Sequence, residues 1–323
     1  MKQNININKE KLLVIRGYGS AVAAAILFGS VSSVSKPTLS DINPILLSSM
    51  VYLIAATTMI PIIKAKTQNI IIPSLFSLKR KDYLLVTATA LCGAVIAPTL
   101  YFFGLKQGLA SNASILLNGE MAFTVLLAIF FFKEKLDRIG YIGVILIFMG
   151  ITIVSAENSL TWNLSTSTSL QESILKFRVG SGDVLILISA LFWAVDNNIS
   201  KILTQRVNVA RIVQLKSAIG GTILLLITVV FSIPIVEDIN LIQILNIVAL
   251  GIGGFAASIF FFLYGLKIIG TVKTIVIFST SSVFGVVFAT ILLHESIDVY
   301  KIGVSTGIII FGIYMINRRS HER

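Results

Sequence analysis

The chain has few of the residues from which soluble enzymes and metal sites are built. Its single cysteine, Cys92, excludes an internal disulfide framework, and only two histidines argue against a histidine-built metal site. Charged residues make up 13% of the 323 residues, about half the usual share for a soluble protein. No P-loop occurs, so ATP could drive this chain only through a partner. We therefore predict a protein that is not an enzyme and that holds no metal and no cofactor.

The chain is instead rich in apolar sequence. Hydrophobic residues make up 55% of it, and the mean hydropathy is +0.92. Runs of about 20 apolar residues recur, each long enough to cross ~30 Å of hydrocarbon as a helix. Strands are not expected, because these runs lack apolar/polar alternation. The sequence predicts an all-α polytopic membrane protein with ten transmembrane helices, at roughly 18–35, 43–63, 83–103, 108–132, 139–155, 183–204, 211–235, 241–265, 272–293 and 301–317.

Positive charge alternates between successive loops. By the positive-inside rule this distribution predicts that both termini are cytoplasmic. The net charge of +11 is then a topology signal, and we expect no nucleic-acid partner, because no basic face with base-stacking aromatics is present. Of the 26 Lys and Arg residues, 20 lie in alternate segments, at 2–16, 64–81, 133–138, 201–211, 267–273 and 318–323.

The second half of the chain repeats the first. The segment 101–106 (YFFGLK) matches 262–267 (FLYGLK) at an offset of 161 residues, and the same offset relates Glu134 to Glu295. A duplicated module with five spans must insert its second copy inverted, as in many secondary transporters. We therefore predict two inverted five-helix repeats. The predicted regions are a cytoplasmic N-terminal segment at 1–17, repeats at 18–155 and 183–317, an external polar linker at 156–182 and a cytoplasmic tail at 318–323.

Several motifs resemble those of one transporter family. Ser111-Asn112-Ala113-Ser114, followed by Glu120, is similar to the fourth-helix pattern of EamA-type members of the drug/metabolite transporter superfamily, and Gly182-Asp183 resembles the start of their sixth helix. The resemblance covers about residues 17–317. It implies a two-repeat basket of helices around a central cavity, and export or exchange of small metabolites, amino acids or drugs. The chain departs from the family pattern at Met121, where the family often has proline.

Only two acidic side chains lie deep within the predicted spans, Glu120 and Asp196. A carboxylate at mid-bilayer costs ~2.5–3.5 kcal/mol on insertion scales, so such residues usually face a cavity or a partner. Glu120, with Thr124 one turn further along, is the candidate for recognising a substrate amine and for proton coupling. The alternative is a structural carboxyl group that hydrogen-bonds to a neighbouring helix.

Asp196 belongs to a polar stripe on the sixth apolar segment. At about 100° per residue, Trp193, Asp196 and Ser200 share one face, with Asn197 beside them. Lining a water-filled cavity is the natural explanation of such a stripe, and hydrogen bonding to another helix is the alternative. The repeat-equivalent residues complete the candidate cavity lining: Phe28, Ser32 and Ser35 in the first segment, and Ser281 in the ninth.

Two tyrosines, Tyr101 and Tyr264, end the third and eighth segments. Interfacial anchoring is one interpretation, and gating or substrate contact is the other, so both remain site candidates. Lys216, within the seventh segment, is expected to extend to the cytoplasmic surface. Glu134 and Glu295 are expected to be structural.

A secondary-active transporter in the cell (inner or plasma) membrane is the function that these observations favour. The expected partners are a small-molecule substrate, the lipid bilayer and a possible proton or counter-substrate. A GxxxG on the tenth segment, at Gly303 and Gly307, is a packing or dimer face, so we expect a monomer or a homodimer.

Three alternatives remain. The first is a phosphorylated-sugar or nucleotide antiporter of the same superfamily, and the second is a non-transporting structural membrane protein. The third is an intramembrane aspartyl protease, because residues 180–183 match its GxGD motif. No Pro-Ala-Leu occurs in the chain, which argues against the protease.

Overall fold

The computed structural model of the chain describes residues 2–66, 78–132, 138–155, 180–234, 239–296 and 298–317. Every regular element in these residues is a helix, and eight helical stretches among them are long and apolar enough to cross a membrane. The chain is therefore an all-helical, multi-pass membrane protein, as its composition predicts. Most of the predicted linker (156–179), the predicted tail (318–323) and Glu134 lie outside the described residues.

The helices follow the apolar runs of the sequence. We number them α1 (Lys2–Thr38), α2 (Pro44–Lys66), α3 (Arg80–Gln107), α4 (Ala110–Leu116), α5 (Gly119–Phe132), α6 (Arg138–Ser155), α7 (Ser181–Thr204), α8 (Val209–Val230), α9 (Leu241–Ile269), α10 (Thr271–Phe278), α11 (Ser281–Leu293) and α12 (Val299–Asn317). The eight long stretches comprise all of these except the short α6 and the interrupted run of α4 and α5; one of the eight spans both α10 and α11. Residues 2–17 of the predicted N-terminal segment continue the first helix.

Polar side chains and glycine end several helices. Asn208 begins α8 by accepting a hydrogen bond from the backbone amide of Ala210 at 2.9 Å. Asn240 and Gln243 form a reciprocal capping box at the start of α9. Gly270 separates α9 from α10 with a φ of +83°, a conformation that other residues rarely adopt. The connection between α9 and α10 is thus a single residue, which keeps these two helices adjacent.

Two long helices contain a π-helical stretch at corresponding positions of the two halves. It lies at Leu91–Ile96 in α3 and at Leu250–Ala257 in α9. In α3 it ends two residues before Pro98, which has no backbone N–H to donate to the turn before it. Such widened turns free backbone carbonyl groups for contacts with other helices.

Two apolar runs are also interrupted at corresponding positions. Turns at residues 117–118 and 279–280 separate α4 from α5 and α10 from α11. The first turn lies just before Glu120, so the interruption occurs with Met121 in place of the proline that the family often has. Its backbone bonds span three residues, as in a 3₁₀-helix, and short stretches of this kind inside a helical run often mark hinges.

Helices of the first half pack against their counterparts in the second half. α2 packs against α8, and α6 packs against α12. The last pair is antiparallel, since Gly143 lies against Gly312 while Gly150, further along α6, lies against Ser305. An added Cβ at Gly143 would be 2.5 Å from the carbonyl oxygen of Gly312, so the two backbones touch there.

The other main contacts also come in matching pairs. α1 packs against α9 and α11, as α7 packs against α3 and α5. These helices bury a continuous core that includes Tyr52, Phe102 and Phe255. Phe130 and Tyr300, which are 79% and 87% exposed, lie on the outer surface, where an apolar membrane protein meets lipid.

Candidate functional site

Two adjoining cavities lie between the packed helices. The first has about 450 Å³ of empty space, including the part that is open to solvent, and its polar lining comes from Tyr52, Gly93, Glu120, Asp196, Asn197, Lys216 and Ser258. The second has about 360 Å³, measured in the same way. Glu120 and Asn197 line both cavities, as do the rings of Phe28, Phe262 and Phe278. The two spaces are therefore parts of one candidate site.

Lys216 of α8 forms an ion pair with Asp196 of α7 in the wall of the larger cavity. Its Nζ lies 2.6 Å from Asp196 Oδ2, and the two side chains are 4% and 3% exposed. Asp196 Oδ1 accepts a second hydrogen bond from Ser200 at 2.9 Å. The prediction that Lys216 extends to the cytoplasmic surface is wrong. A carboxylate on the neighbouring helix gives the ammonium a partner inside the protein, so the charge need not reach water.

Asp196 contacts the π-helical stretch of α3 at Gly93. A Cβ at Gly93 would collide with the Asp196 carboxylate, so only glycine leaves room for the ion pair. The carbonyl oxygen of Gly93 accepts hydrogen bonds from Tyr52 Oη at 2.7 Å and Trp193 Nε1 at 3.1 Å. Three helices are thus tied together beside the charges.

The corresponding contact in the other half is apolar. Gly254, in the π-helical stretch of α9, faces Val31 of α1, and a Cβ at Gly254 would be 2.8 Å from a Val31 methyl group. Val31 is the repeat equivalent of Asp196. The scaffold therefore repeats its packing, while only one half supplies a charged group at this position.

Glu120 of α5 lies across the cavity from the ion pair. Asn197 Nδ2 donates to Glu120 Oε1 at 2.5 Å, and the next residue, Asn198, donates to the backbone carbonyl of Thr124 at 3.3 Å. Glu120 Oε2 has no hydrogen-bond partner within the described part of the chain. This carboxyl group therefore keeps one oxygen available to a bound solute.

Aromatic rings form the apolar walls. The ring of Phe28 lies 5.8 Å from that of Trp193, edge to face, and 5.1 Å from that of Phe278. The rings of Phe262 and Phe278 are 4.6 Å apart. Charged groups set among packed rings are typical of sites that bind a small solute with an apolar body.

The structure brings seven of the predicted site residues into the walls of the two cavities. These are Phe28, Glu120, Thr124, Trp193, Asp196, Asn197 and Ser281.

The remaining predicted site residues line neither cavity. Ser200 acts behind the wall as a donor to Asp196, and Ser35 donates to the carbonyl of Val31. Tyr264 stacks on Phe260 with ring centroids 6.2 Å apart.

Ser32 and Tyr101 form a hydrogen bond of 2.7 Å in a buried layer next to the first cavity. The interpretation of Tyr101 as an interfacial anchor is wrong, because its side chain is fully buried and its ring packs 5.4 Å from that of Trp193. Tyr101 therefore supports the cavity wall from behind.

Sequence reasoning missed Lys216, Tyr52 and Gly93 as parts of the site. Lys216 carried a signal, since it is a lysine within an apolar segment and the preceding apolar segment holds an acidic residue, Asp196. Tyr52 and Gly93 carried none, because their contact depends on how α2 and α3 pack.

The GxGD motif does not form a protease site in the described residues. Asp183 lies in the first turn of α7, and Asp196 lies on the same helix, ~20 Å further along at 1.5 Å per residue. An aspartyl dyad needs two carboxylates in contact, so these two cannot form one.

Comparison with known proteins identifies the family. The family model described as "EamA-like transporter family" matches the chain twice, at residues 15–156 and 180–318. The chain belongs to the EamA-like transporter family. An uncharacterized transporter of Methanothermobacter thermautotrophicus is similar to it, with 29% identity over 93% of this chain and 85% of that protein. Another, from Clostridium kluyveri, is 27% identical over 72% of this chain and 73% of its own.

The fold also has a solved counterpart. One crystal structure of a protein superposes on this EamA-like transporter with a TM-score of 0.65, covering 94% of this chain and 98% of that chain. At 16% identity the likeness concerns the fold alone. The family match makes the chain a membrane transporter, which is the class of function that its sequence favours.

Proposed function

We propose that this protein is a secondary-active carrier that moves a small amine-bearing solute across the cell membrane by efflux or exchange. The solute is an amino acid, an amine or a drug-like molecule. The single observation behind this proposal is a cavity with aromatic walls that holds one ammonium and two carboxylates, on Lys216, Asp196 and Glu120. Buried charge inside a bundle of apolar helices is costly, and such groups usually mark the path of a solute or ion.

The carrier works by alternating access of two inverted five-helix repeats, with ten membrane-crossing segments. Several observations support this arrangement. The family model matches once in each half of the chain, and the π-helical stretches and helix interruptions recur at matching positions. α6 and α12, the last helices of the two repeats, pack antiparallel through Gly143 and Gly312, as inversion requires. The Lys and Arg distribution supports a cytoplasmic location for both termini.

The free hydrogen-bonding groups of the cavity favour a zwitterion with an apolar side chain. Lys216 has three N–H donors, and Asp196 is its one hydrogen-bond acceptor within the described residues. The remaining donors suit a carboxylate, while Glu120 Oε2 suits an ammonium group. The rings of Phe28, Phe262 and Phe278 suit an apolar body.

The same groups disfavour a phosphorylated substrate. A phosphate ester carries close to two negative charges at neutral pH and is usually bound by several Arg or Lys side chains. The described lining of the larger cavity contains one such cation beside two carboxylates. A phosphorylated-sugar or nucleotide antiporter is therefore the weaker candidate.

A set of three ligands tests the solute class. L-phenylalanine, phenethylamine and 3-phenylpropanoate have similar apolar bodies and differ in which charges they carry. We expect the thermal unfolding temperature of the purified protein in detergent to rise most with the zwitterion, less with the amine and least with the acid. Stabilisation by the acid alone, or by none of the three, would refute the proposed solute class.

A further inference from the structure

Glu295 joins the two halves of the molecule at one face of the membrane. It follows α11, yet it accepts hydrogen bonds at the start of α4 in the other half. Its Oε1 accepts from the amide of Ala110 at 2.8 Å, and its Oε2 accepts from the amide and hydroxyl of Ser111 at 3.0 and 2.7 Å. A carboxylate at a helix N-terminus also interacts favourably with the unpaired amides there.

Lys36, at the end of α1, contacts the connection between α3 and α4, which we call the elbow. Its Nζ donates to the carbonyl oxygen of Leu105 at 2.7 Å, where α3 ends, and also to the carbonyl oxygen of Gly108. The connection from α3 to α4 is therefore fixed by an ammonium on its carbonyl groups and by a carboxylate on its amides. We call these contacts of Lys36 and Glu295 the elbow clamp.

Next to the elbow clamp, α1, α4 and α11 pack closely against one another. α4 packs against α11, where Gly285 lies so close to Ser114 that a Cβ would collide with the hydroxyl. Ser114 also hydrogen-bonds to Ser32 of α1 at 2.9 Å. These three helices are therefore in direct contact at Ser32, Ser114 and Gly285.

On the other side of the turns at 117–118 and 279–280, α5 and α10 are separated by a cavity. The second cavity is lined by Met121 and Thr124 of α5 on one side, and by Ile275 of α10 and Ser279 of the following turn on the other. The two interrupted runs thus touch on the side of Glu295 and separate on the opposite side, with their turns at 117–118 and 279–280 in between. The solute site is closed towards the face that carries Glu295.

We propose that the elbow clamp is the latch that holds this face closed, and that its release lets α4 and α11 separate so that the site opens there. This inference rests on the proposed carrier function. By the distribution of Lys and Arg the latched face is the external one. Glu295 is thus a positioning residue for the conformational change, in addition to its structural contacts.

Substitution by glutamine weakens the latch while preserving its size. In Glu295→Gln an NH2 group replaces one of the two oxygens and so faces the donor of either Ala110 or Ser111, and the charge that assists these bonds is lost. A neighbouring residue gives a matched control. Asp298 is an exposed acid in the same loop that accepts from the amide of Lys301, at the start of its own helix α12. Asp298→Asn therefore makes the same chemical change without touching the other half.

Accessibility of the cavity from outside measures the latch without any substrate. Cys92 is replaced by alanine, and Ser281, which lines the second cavity, is replaced by cysteine as the reporter. Intact cells are treated with a membrane-impermeant methanethiosulfonate. We expect slow labelling in the parent and in Asp298→Asn, and about tenfold faster labelling in Glu295→Gln, the shift that loss of about one charge-assisted hydrogen bond makes in a two-state equilibrium.

A second variant keeps the test valid if Glu295→Gln folds poorly. Ser111→Ala removes one of the three bonds from the other side, and should raise the labelling rate by less. Combined with Glu295→Gln, it should raise the rate by less than the two separate effects together, because the two residues share a bond. Equal labelling in all variants, or rapid external labelling of the parent, would overturn the latch. The expected labelling, together with no counterflow of L-phenylalanine by the unsubstituted protein, would retain the latch and refute the proposed carrier function.

Discussion

Lys216 and Asp196 form a buried ion pair of 2.6 Å between neighbouring helices, 20 residues apart in the sequence. Both groups line the larger cavity, so the pair is at once a link between α7 and α8 and part of the candidate binding site. A solute carboxylate that approaches the ammonium has to share it with Asp196. Stability and solute binding are therefore expected to depend on the same two side chains.

Replacing Lys216 with methionine should destabilise the protein strongly. The change leaves the Asp196 carboxylate buried without its partner, and breaking a buried pair in this way costs about 3–5 kcal/mol. The double variant Asp196→Asn/Lys216→Met should recover much of that loss, because no unpaired charge remains. Thermal unfolding in detergent is the measurement. Equal stability of the single and double variants would show that the charge pairing is unimportant.

Gly93→Ala should be poorly tolerated. The new Cβ would collide with the Asp196 carboxylate, which cannot move away without losing Lys216 or Ser200, and overpacking of this kind costs about 1–3 kcal/mol. Gly303→Ala is the matched control, since no atom lies within 4 Å of a Cβ built there. Similar unfolding temperatures for the two variants would argue against the tight contact at Gly93.

Glu120→Gln should abolish proton movement coupled to the solute. Glutamine keeps the size of the side chain and can keep the contact with Asn197, but it cannot take up or release a proton. Solute-driven pH change in proteoliposomes is the measurement, with Asp298→Asn as an acid-to-amide control outside the cavity. An unchanged proton flux in Glu120→Gln would remove this residue from the coupling role.

Trp193→Ala should weaken binding of L-phenylalanine by roughly tenfold or more, as expected for loss of a large aromatic wall. Tyr101→Phe is the control, because Tyr101 packs behind Trp193 and does not line the cavity. We expect the control to bind normally, with only a small loss of stability from its bond to Ser32. Normal binding by folded Trp193→Ala would place the solute elsewhere.

The sequence was sufficient to predict the helical membrane class and to select several residues that the structure places around the cavities. The length of the apolar segments and the alternation of charge depend on local composition, so both can be read from the sequence without knowledge of the packing. Glu120 and Asp196 could be singled out because a lone carboxylate in an apolar span demands a partner or a cavity. Their role in binding stays a prediction.

Contacts between side chains of different helices depend on packing and could not be predicted from the sequence. The pairing of Lys216 with Asp196 depends on the relative rotation of α7 and α8, which neither segment records by itself. Ser32 and Ser35 were chosen as repeat equivalents of cavity residues, yet they hydrogen-bond within the protein. The two halves repeat their packing, whereas the cavity takes its charged groups from α5, α7 and α8.

Counterflow in proteoliposomes measures carriage of the solute through the cavity itself. Vesicles containing the purified protein are loaded with unlabelled L-phenylalanine, and uptake of the labelled compound is followed in the wild type and in Trp193→Ala, with Tyr101→Phe as control. We expect saturable counterflow in the wild type and in the control, and its loss in Trp193→Ala. Absence of counterflow in the wild type, or full counterflow in folded Trp193→Ala, would contradict a zwitterion carrier that uses this cavity.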